Sequence, residues 1–278
     1  MTTNHHEKRV AFQGMPGAYS DEAARTVFPN AETVGHPTFS EAFDAIAERR
    51  VDAAVIPVEN TVAGVVQEVS DLLWKHTDLH VIGEHVSPIR HVLMSKSNEP
   101  VTRVLSHPQA LAQCSDWLRR NGLEPVPFYD TAGAAAEIAR RSNVGEGAIA
   151  SRAAAKLYDL NILATDIANS ASNQTRFLII EQLPLPEATG EGTRKVTLGF
   201  TTNHEPGALA GVMAIFSNHR ANLTRLDSRP IPDQPFRYRF YAEAEVENGE
   251  VAELVRELGD STVEFRLFGS YLPQSPTQ

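Results

Sequence analysis

The chain has 278 residues, of which 42% are hydrophobic and 22% charged, and a net charge of −10. This is enough chain for two domains with sizeable cores and excludes a disordered polypeptide. The acidic balance argues against a nucleic-acid binder, which would show a basic excess or stripe, but not against small anionic ligands held at local positive sites.

The first half alternates strands and helices. Lys8–Gln13 is a short apolar strand, followed by a glycine loop and a helix with Ala23, Ala24, Val27 and Phe28 on one face. Thr38 with Glu41 forms a capping-box pattern, and Phe39, Ala42, Phe43, Ile46 and Ala47 supply the buried side of the helix it opens. "DAAVIPV" is a buried strand, and "TVAGVVQEVSDLLWKH" is expected as one long helix behind it. A second unit of the same style begins near Ile89. Its strands are "IRHVLMS", "TRVLS", "EPVPFYD" and "GAIAS"; its helices are "PQALAQCSDWLRR", with Leu111, Cys114 and Leu118 inward, "TAGAAAEIARR" and "RAAAKLYDL". The chain then runs through "ILATDIANSASN" to a strand opening "RFLII". Two such α/β units in succession imply two lobes with a cleft between them, where strand ends place ligand sites.

"EQLPLPEATGEGTRK" replaces apolar periodicity with proline, glycine and charge, as a linker does. Beyond it, strand "KVTLGFTT", helix "PGALAGVMAIFSNH", strands "NLTRLDSRPI" and "FRYRFYAEAEV", helix "EVAELVREL" and strand "TVEFRLFGSYL" give the order βαββαβ of a ferredoxin-like domain. The single cysteine, Cys114, excludes an internal disulfide and fits a reducing compartment. No apolar run reaches membrane-span length, and no apolar h-region precedes the first strand, so no membrane association is expected and the cytoplasm is the default location.

Four polar strand ends carry the candidate chemistry. "GMPGAYS" joins the first strand to the first helix: Gly14 and Gly17 allow close backbone approach, Ser20 is a candidate cap, and N–H groups at such a helix start attract anions. The loop lacks the G-x-G-x-x-G spacing and the lysine of a phosphate loop, and a tight turn with a cap explains it as well. "PVENTVAG" puts Glu59 and Asn60 where a buried strand opens; they bind hydroxyls or move protons, or else Asn60 only caps the donors of Thr61 to Ala63. In "SHPQALAQC", His107 is an acid or base near neutral pH or an outer loop histidine, and Gln109 sits in the first helical turn. In "NQTRF", Asn173, Thr175 and Arg176 precede an apolar strand. Arg176 suits a bidentate carboxylate clamp and Thr175 a donor to a leaving oxygen, unless all of them serve a hinge. His76 and His80 have i, i+4 spacing without an HExxH pattern, and "HH" at positions 5 and 6 looks like a loose terminus; both suit a solvated surface, and no metal site is expected. Cys114 reads as packing.

Taken together, "GMPGAYS", "IPVENTVAG", "SHPQALAQC", "YDTAGAA", "AIASRAAAKLYDLNILATDI" and "NQTRF" resemble the prephenate dehydratase family, in order and in spacing, from about Lys8 to Tyr271. The resemblance implies a two-lobed, periplasmic-binding-protein-like catalytic unit at 8–183, with lobes at about 8–86 plus the return strand 177–182, and at 87–176. A linker at 184–193 and an ACT regulatory domain at 194–272 follow. It also implies a lyase that expels water and carbon dioxide from prephenate, gives phenylpyruvate for phenylalanine biosynthesis, and needs no cofactor. The family's critical threonine falls on Thr175. Glu59, Asn60 and His107 are further catalytic candidates. Gly17, Ala18, Tyr19, Ser20, Gln109, Asn173, Arg176 and Phe177 are expected to bind substrate. Phenylalanine is the expected effector, held by Gly207, Ala208 and Leu209 and by Asp227, Ser228, Arg229 and Pro230, where "DSRP" stands for the family's E-S-R-P. A homodimer or homotetramer is expected. The stretch before the first strand leaves no room for a chorismate mutase domain, which points to a monofunctional enzyme. Arogenate dehydration, a non-aromatising prephenate decarboxylase and a non-catalytic two-lobed ligand sensor are the competing readings.

Overall fold

The computed structural model describes residues 7–141, 145–182 and 192–274. The chain runs β1 (Arg9–Gln13), α1 (Tyr19–Val27), β2 (Glu32–His36), α2 (Phe39–Ala47), β3 (Ala53–Asn60), β4 (Gly64–Val65), α3 (Gln67–Lys75), β5 (His80–Pro88), β6 (Val92–Ser95), β7 (Arg103–Ser106), α4 (Pro108–Gln113) and α5 (Ser115–Arg120). It continues with β8 (Glu124–Pro127), α6 (Thr131–Arg140), β9 (Glu146–Ala150), α7 (Arg152–Leu157), β10 (Asn161–Ala164) and β11 (Gln174–Glu181). Last come β12 (Thr193–Thr201), α8 (Ala208–Asn218), β13 (Asn222–Pro230), β14 (Tyr238–Glu247), α9 (Val251–Ser261) and β15 (Glu264–Tyr271). Two compact units divide these elements. One holds the chain up to Val66 and His85–Phe177; the other holds Gln67–Glu84 and the chain from Leu178 on. The linker expected at 184–193 lies outside the described residues up to 191, as do His5 and His6.

The elements up to β11 form two sheets, and the lobe expected at 8–86 with 177–182 is not one unit, since Gln67–Glu84 and the chain from Leu178 on group with the C-terminal elements. In one sheet, ordered β2-β1-β3-β11-β5 with β4 beside β3, β1 lies parallel to both β2 and β3. Val10, Ala11 and Phe12 are fully buried, as a parallel strand covered on both faces requires. Val10, Ala53 and Val55 pack with Ala23 and Ala24 of α1 and with Phe177. The Thr38 hydroxyl caps α2 by accepting from the Glu41 N–H at 3.2 Å. The second sheet, β10-β6-β9-β7-β8, buries Met94, Leu105, Ala148 and Ala150 against α6 and α7. The sequence periodicity misplaces two helices. Residues 61–66 form a turn and β4, so α3 begins only at Gln67, and the helix expected over 108–120 breaks at Cys114 into α4 and α5.

The second unit contains the expected βαββαβ fold, with sheet order β13-β14-β12-β15 and antiparallel neighbours throughout. Strand alternation sends Val196, Leu198 and Phe200 of β12 into a core with α8 and α9. The alternate positions face α3 and the start of β5. Lys195 pairs with the buried Glu84 at 3.0 Å, the Thr197 hydroxyl meets the Tyr271 hydroxyl at 2.8 Å, and a Cβ on Gly199 would lie 2.9 Å from the Trp74 ring. The Arg266 guanidinium closes the end of α3 by donating to the carbonyls of Trp74 at 2.8 Å and Leu79 at 3.2 Å. Among the described residues no helix is long and apolar enough to cross a membrane.

A Cβ at Gly269 would stand 2.0 Å from the Val81 carbonyl oxygen, which as backbone cannot rotate away. Gly269→Ala is therefore expected to destabilise by at least ~1–3 kcal/mol, read from denaturant unfolding. His219, at the end of α8, lies 2.7 Å from Glu257 and 3.1 Å from Glu250, and these hydrogen bonds, the first to Glu257, raise its pKa. A raised folded-state pKa gives stability that is whole below the unfolded value of about 6.5 and lost as pH rises through the folded value. Unfolding measured across that interval should show a fall in the native protein that His219→Gln flattens.

Candidate active site

β3 runs as a buried apolar strand until Glu59 and Asn60, where the chain turns through Thr61, Val62 and Ala63. Gly64 takes the left-handed φ of 83° that lets the turn close into β4. Inside this turn the Asn60 side-chain oxygen accepts from the N–H of Val62 at 3.0 Å and of Ala63 at 2.8 Å. Backbone donors cannot be flipped, so the Asn60 amide has one orientation and its NH2 faces the other way. Three oxygens meet it there: Asn173 Oδ1 at 2.8 Å, Thr175 Oγ1 at 2.9 Å and the Gln174 carbonyl at 3.0 Å. Two hydrogens are shared among three acceptors. Because the Thr175 oxygen accepts from Asn60, its own hydrogen is left to be given elsewhere.

The polarity propagates. Asn173 must turn its NH2 away from Asn60, and it donates to Gln113 Oε1 at 3.1 Å. His91 Nε2 reaches the same Gln113 oxygen at 2.7 Å, while its Nδ1 lies 2.9 Å from the Tyr19 hydroxyl, which also reaches the Arg90 carbonyl at 3.0 Å. Burial pushes the His91 pKa down against the opposing pull of Gln113, and burial above all raises that of Tyr19 well above its usual value. Beside this chain lies a hollow of about 290 Å³. Gln109, Gln113, Asn169, Asn173 and Ser170 give it polar groups, and Val62, Ala63, Ala112 and Ala168 give it apolar walls. Thr175, 8% exposed, is not on that wall; Asn60 and Asn173 connect it to the residues that are.

Other expected site residues take different positions. Arg176 turns to the face of β11 opposite Thr175 and pairs with Glu59 at 3.1 Å, its side chain 12% and that of Glu59 44% exposed, so the expected carboxylate clamp is already occupied. Phe177 is buried in the core with α1, because it shares a strand face with Thr175 one step deeper. Ser20 lies within α1 rather than capping it, and the Gly17 N–H donates to Asp21 Oδ2 at 2.8 Å and that of Ala18 to the Met15 carbonyl at 3.0 Å. Neither N–H is open to an anion. Gly17 instead lets the loop dock: a Cβ there would be 3.0 Å from Ala154 Cα, and the Ser151 hydroxyl donates to the Gly17 carbonyl at 2.7 Å. His107 caps α4, its Nδ1 accepting from the Gln109 N–H at 3.2 Å, which leaves only Nε2 for proton transfer. Cys114 is buried, which pushes its thiol up to about 12. His76 and His80, expected on a solvated surface, are half-buried in the turn closed by Arg266. Among the described residues no group of His, Cys, Asp or Glu is placed to hold a metal ion.

The sequence reading passed over Gln113 and His91. Each carries a signal in retrospect. His91 interrupts the apolar strand pattern "HVLMS", and Gln113 precedes Cys114 on a helix otherwise built of Ala and Leu.

The family model described as prephenate dehydratase matches residues 10–184. The chain belongs to the prephenate dehydratase family. It is 39% identical to arogenate dehydratase/prephenate dehydratase 2 of Arabidopsis thaliana over 283 residues, covering 97% of this chain and 74% of that one. Among solved structures, prephenate dehydratase from Arthrobacter aurescens, in complex with L-Phe, is similar at a TM-score of 0.87 and 27% identity, over 97% of this chain and 92% of that one. GqqA, described as a novel type of quorum quenching acylase, is similar at 0.88 and 31%, over 96% and 98%. The family is one of hydro-lyases, and in this chain the blocks "GMPGAYS", "IPVENTVAG" and "SHPQALAQC" lie at the ends of β1, β3 and β7 and "NQTRF" at the start of β11.

Asn60→Asp tests the orientation directly. The carboxylate still accepts from Val62 and Ala63 but puts an acceptor against the Thr175 oxygen, so the threonine hydrogen turns inward. Dehydratase turnover should fall by ~10²–10³-fold, the loss seen when one preorganised donor is removed, with the thermal unfolding transition kept.

Proposed function

We propose that this family member converts prephenate to phenylpyruvate and that Thr175 is the donor to the departing hydroxyl. Prephenate carries two carboxylates and a ring hydroxyl. As the bond between the ring and its carboxylate breaks, the electron pair moves through the ring and expels the hydroxyl, which takes a proton and leaves as water beside carbon dioxide. Aromatisation supplies the driving force, so the protein has to hold the dianion and stabilise oxygen as it departs. The observation that carries this reading is the 2.9 Å donation from Asn60 to Thr175, which leaves the threonine's own hydrogen to be given to another acceptor. Gln109, Gln113, Asn169 and Asn173 offer amide donors for the substrate. Arg176 takes a carboxylate only by exchanging it for Glu59.

A half-exposed Glu59 favours a second reading, because its carboxylate suits the ammonium group that distinguishes arogenate from prephenate. The relative named for both activities supports keeping the two together. The acylase activity in the name of GqqA finds no support in Cys114, whose buried thiol is no nucleophile. The single cysteine supports a reducing compartment such as the cytoplasm.

Control by phenylalanine is supported by the L-Phe complex of the Arthrobacter aurescens enzyme. Gly207, with φ of 86°, precedes α8, which opens with Ala208 and Leu209; Ser228 and Pro230 are exposed on the edge strand β13. Arg229 pairs with Asp71 at 2.8 Å and donates to Gln67 at 2.6 Å, and Asp227 pairs with Arg225. An effector that takes Arg229 has to displace α3 side chains, which gives it leverage on α3 and a coupling of typically 1–3 kcal/mol. A homodimer or homotetramer, with these domains paired, belongs to the same proposal.

Purified protein given prephenate and arogenate in parallel should form phenylpyruvate from the first. Thr175→Val should lose ~10²-fold or more of kcat with folding intact; wild-type turnover in that variant ends the proposal. Millimolar phenylalanine should raise the melting temperature and change the rate, and Arg229→Ala should remove both responses. A flat response in the native protein would refute effector control.

A further inference from the structure

We propose that His91 and Gln113 are positioning residues for turnover: hydrogen bonds from His91 and from Asn173 converge on Gln113 Oε1, and through Asn173 they steady the Asn60 amide that donates to Thr175. This rests on the reading of Thr175 as the donor.

The direction of every member follows from the two backbone N–H groups at Val62 and Ala63. They fix the Asn60 oxygen; Asn60 must then donate to Asn173 Oδ1; Asn173 must therefore donate to Gln113 Oε1. Gln113 Oε1 is an acceptor, so the His91 Nε2 at 2.7 Å has to carry hydrogen. Neutral His91 is thus held as one tautomer, with Nδ1 accepting from the Tyr19 hydroxyl at 2.9 Å. Protonating His91 does not reverse the chain. Nδ1–H then donates to Tyr19, whose hydrogen turns to the Arg90 carbonyl at 3.0 Å, and Nε2–H stays on Gln113. His91 thereby differs from a general base, whose role ends on protonation. His91, just before β6, and Gln113 on α4 supply one end of the network, and Asn60 on β3 with Thr175 on β11 the other.

Removing the His91 donor leaves Gln113 Oε1 with the Asn173 hydrogen bond alone, so the Gln113 side chain is held less firmly. A Gln113 that shifts withdraws its acceptor from Asn173, and Asn60, whose own orientation stays with Val62 and Ala63, loses a firmly placed partner beside Thr175. Such misplacement at a reacting group costs up to ~10²-fold in rate.

The test uses the full chain with His91→Phe, His91→Gln, Gln113→Leu and Thr175→Val. His91→Phe and Gln113→Leu should lose ~10–100-fold of kcat with KM within ~3-fold, the pattern of a contact that acts in the transition state. His91→Gln, whose amide nitrogen can restore the donor, should recover most of the loss. Nitrogen-15 NMR of the histidine rings should find hydrogen on His91 Nε2 and none on Nδ1, and Gln113→Leu should abolish that preference. The pH profile of kcat should show no step from His91. Wild-type kcat in folded His91→Phe, equal loss in His91→Phe and His91→Gln, or hydrogen on Nδ1 in the native protein each overturn the proposal. If His91→Phe does not fold, Gln113→Leu and the native tautomer still decide. Should Thr175→Val keep its turnover, the donor role of threonine fails first; should it lose turnover while the His91 and Gln113 variants keep theirs, the orienting chain alone fails.

Discussion

Two backbone N–H groups in the turn after β3 set the orientation of the side chains around them. A side-chain amide can point either way at little cost when its neighbours are side chains that can also turn. Asn60 has no such freedom, because Val62 and Ala63 present donors fixed by the chain itself. A wrong orientation would give up both hydrogen bonds, each worth about 0.5–1.5 kcal/mol net, and set an NH2 against two donors. That asymmetry is enough to fix Asn173, Gln113 and His91 in turn. The turn depends in its own right on Gly64, whose positive φ closes the hairpin where other residues would be strained.

This turn is also where sequence and structure part most instructively. The run "TVAGVVQEVSDLLWKH" has apolar residues at helical spacing, and nothing in that spacing reveals that Asn60 captures the amides of Val62 and Ala63. A side-chain oxygen that accepts from the following residues competes with the helix for them, so the helix starts late, at Gln67. The alternation of strands and helices in both lobes and the βαββαβ order were legible because they rest on burial, which leaves periodic marks. β2, β5 and β10 were not, because β2 and β10 are only partly buried and β5 mixes His80, Glu84 and His85 into its run. Of the site, Asn60, Asn173 and Thr175 could be read as polar residues at strand ends. His91 and Gln113 could not be told from ordinary satisfied core groups without knowing which side chains face each other.

Glycine-rich loops illustrate the same limit. "GMPGAYS" suits an anion cradle by composition, yet its N–H groups at Gly17 and Ala18 are taken by Asp21 and Met15, and Gly17 serves close packing on α7. The carboxylate of Asp21 occupies the position an anionic ligand would seek. The arginine beside Thr175 is likewise neutralised by Glu59. Charge that looks available in a sequence is often already paired in the fold, because an unpaired buried guanidinium or carboxylate is too costly to keep.

One fold accommodates a protein named an acylase at 31% identity and one named a prephenate dehydratase at 27%. The scaffold therefore does not choose the reaction. Under the proposed role of Thr175, what chooses is the direction in which a few hydrogens point. If the Asn60 amide were turned over, the same atoms at the same distances would make Thr175 donate inward and leave a lone pair facing out, a base where the reaction needs an acid. A hydroxyl can serve either purpose, so its chemistry is set by its neighbours, and here the neighbours take their orientation from the peptide backbone, the one polar group that no rotamer can reverse.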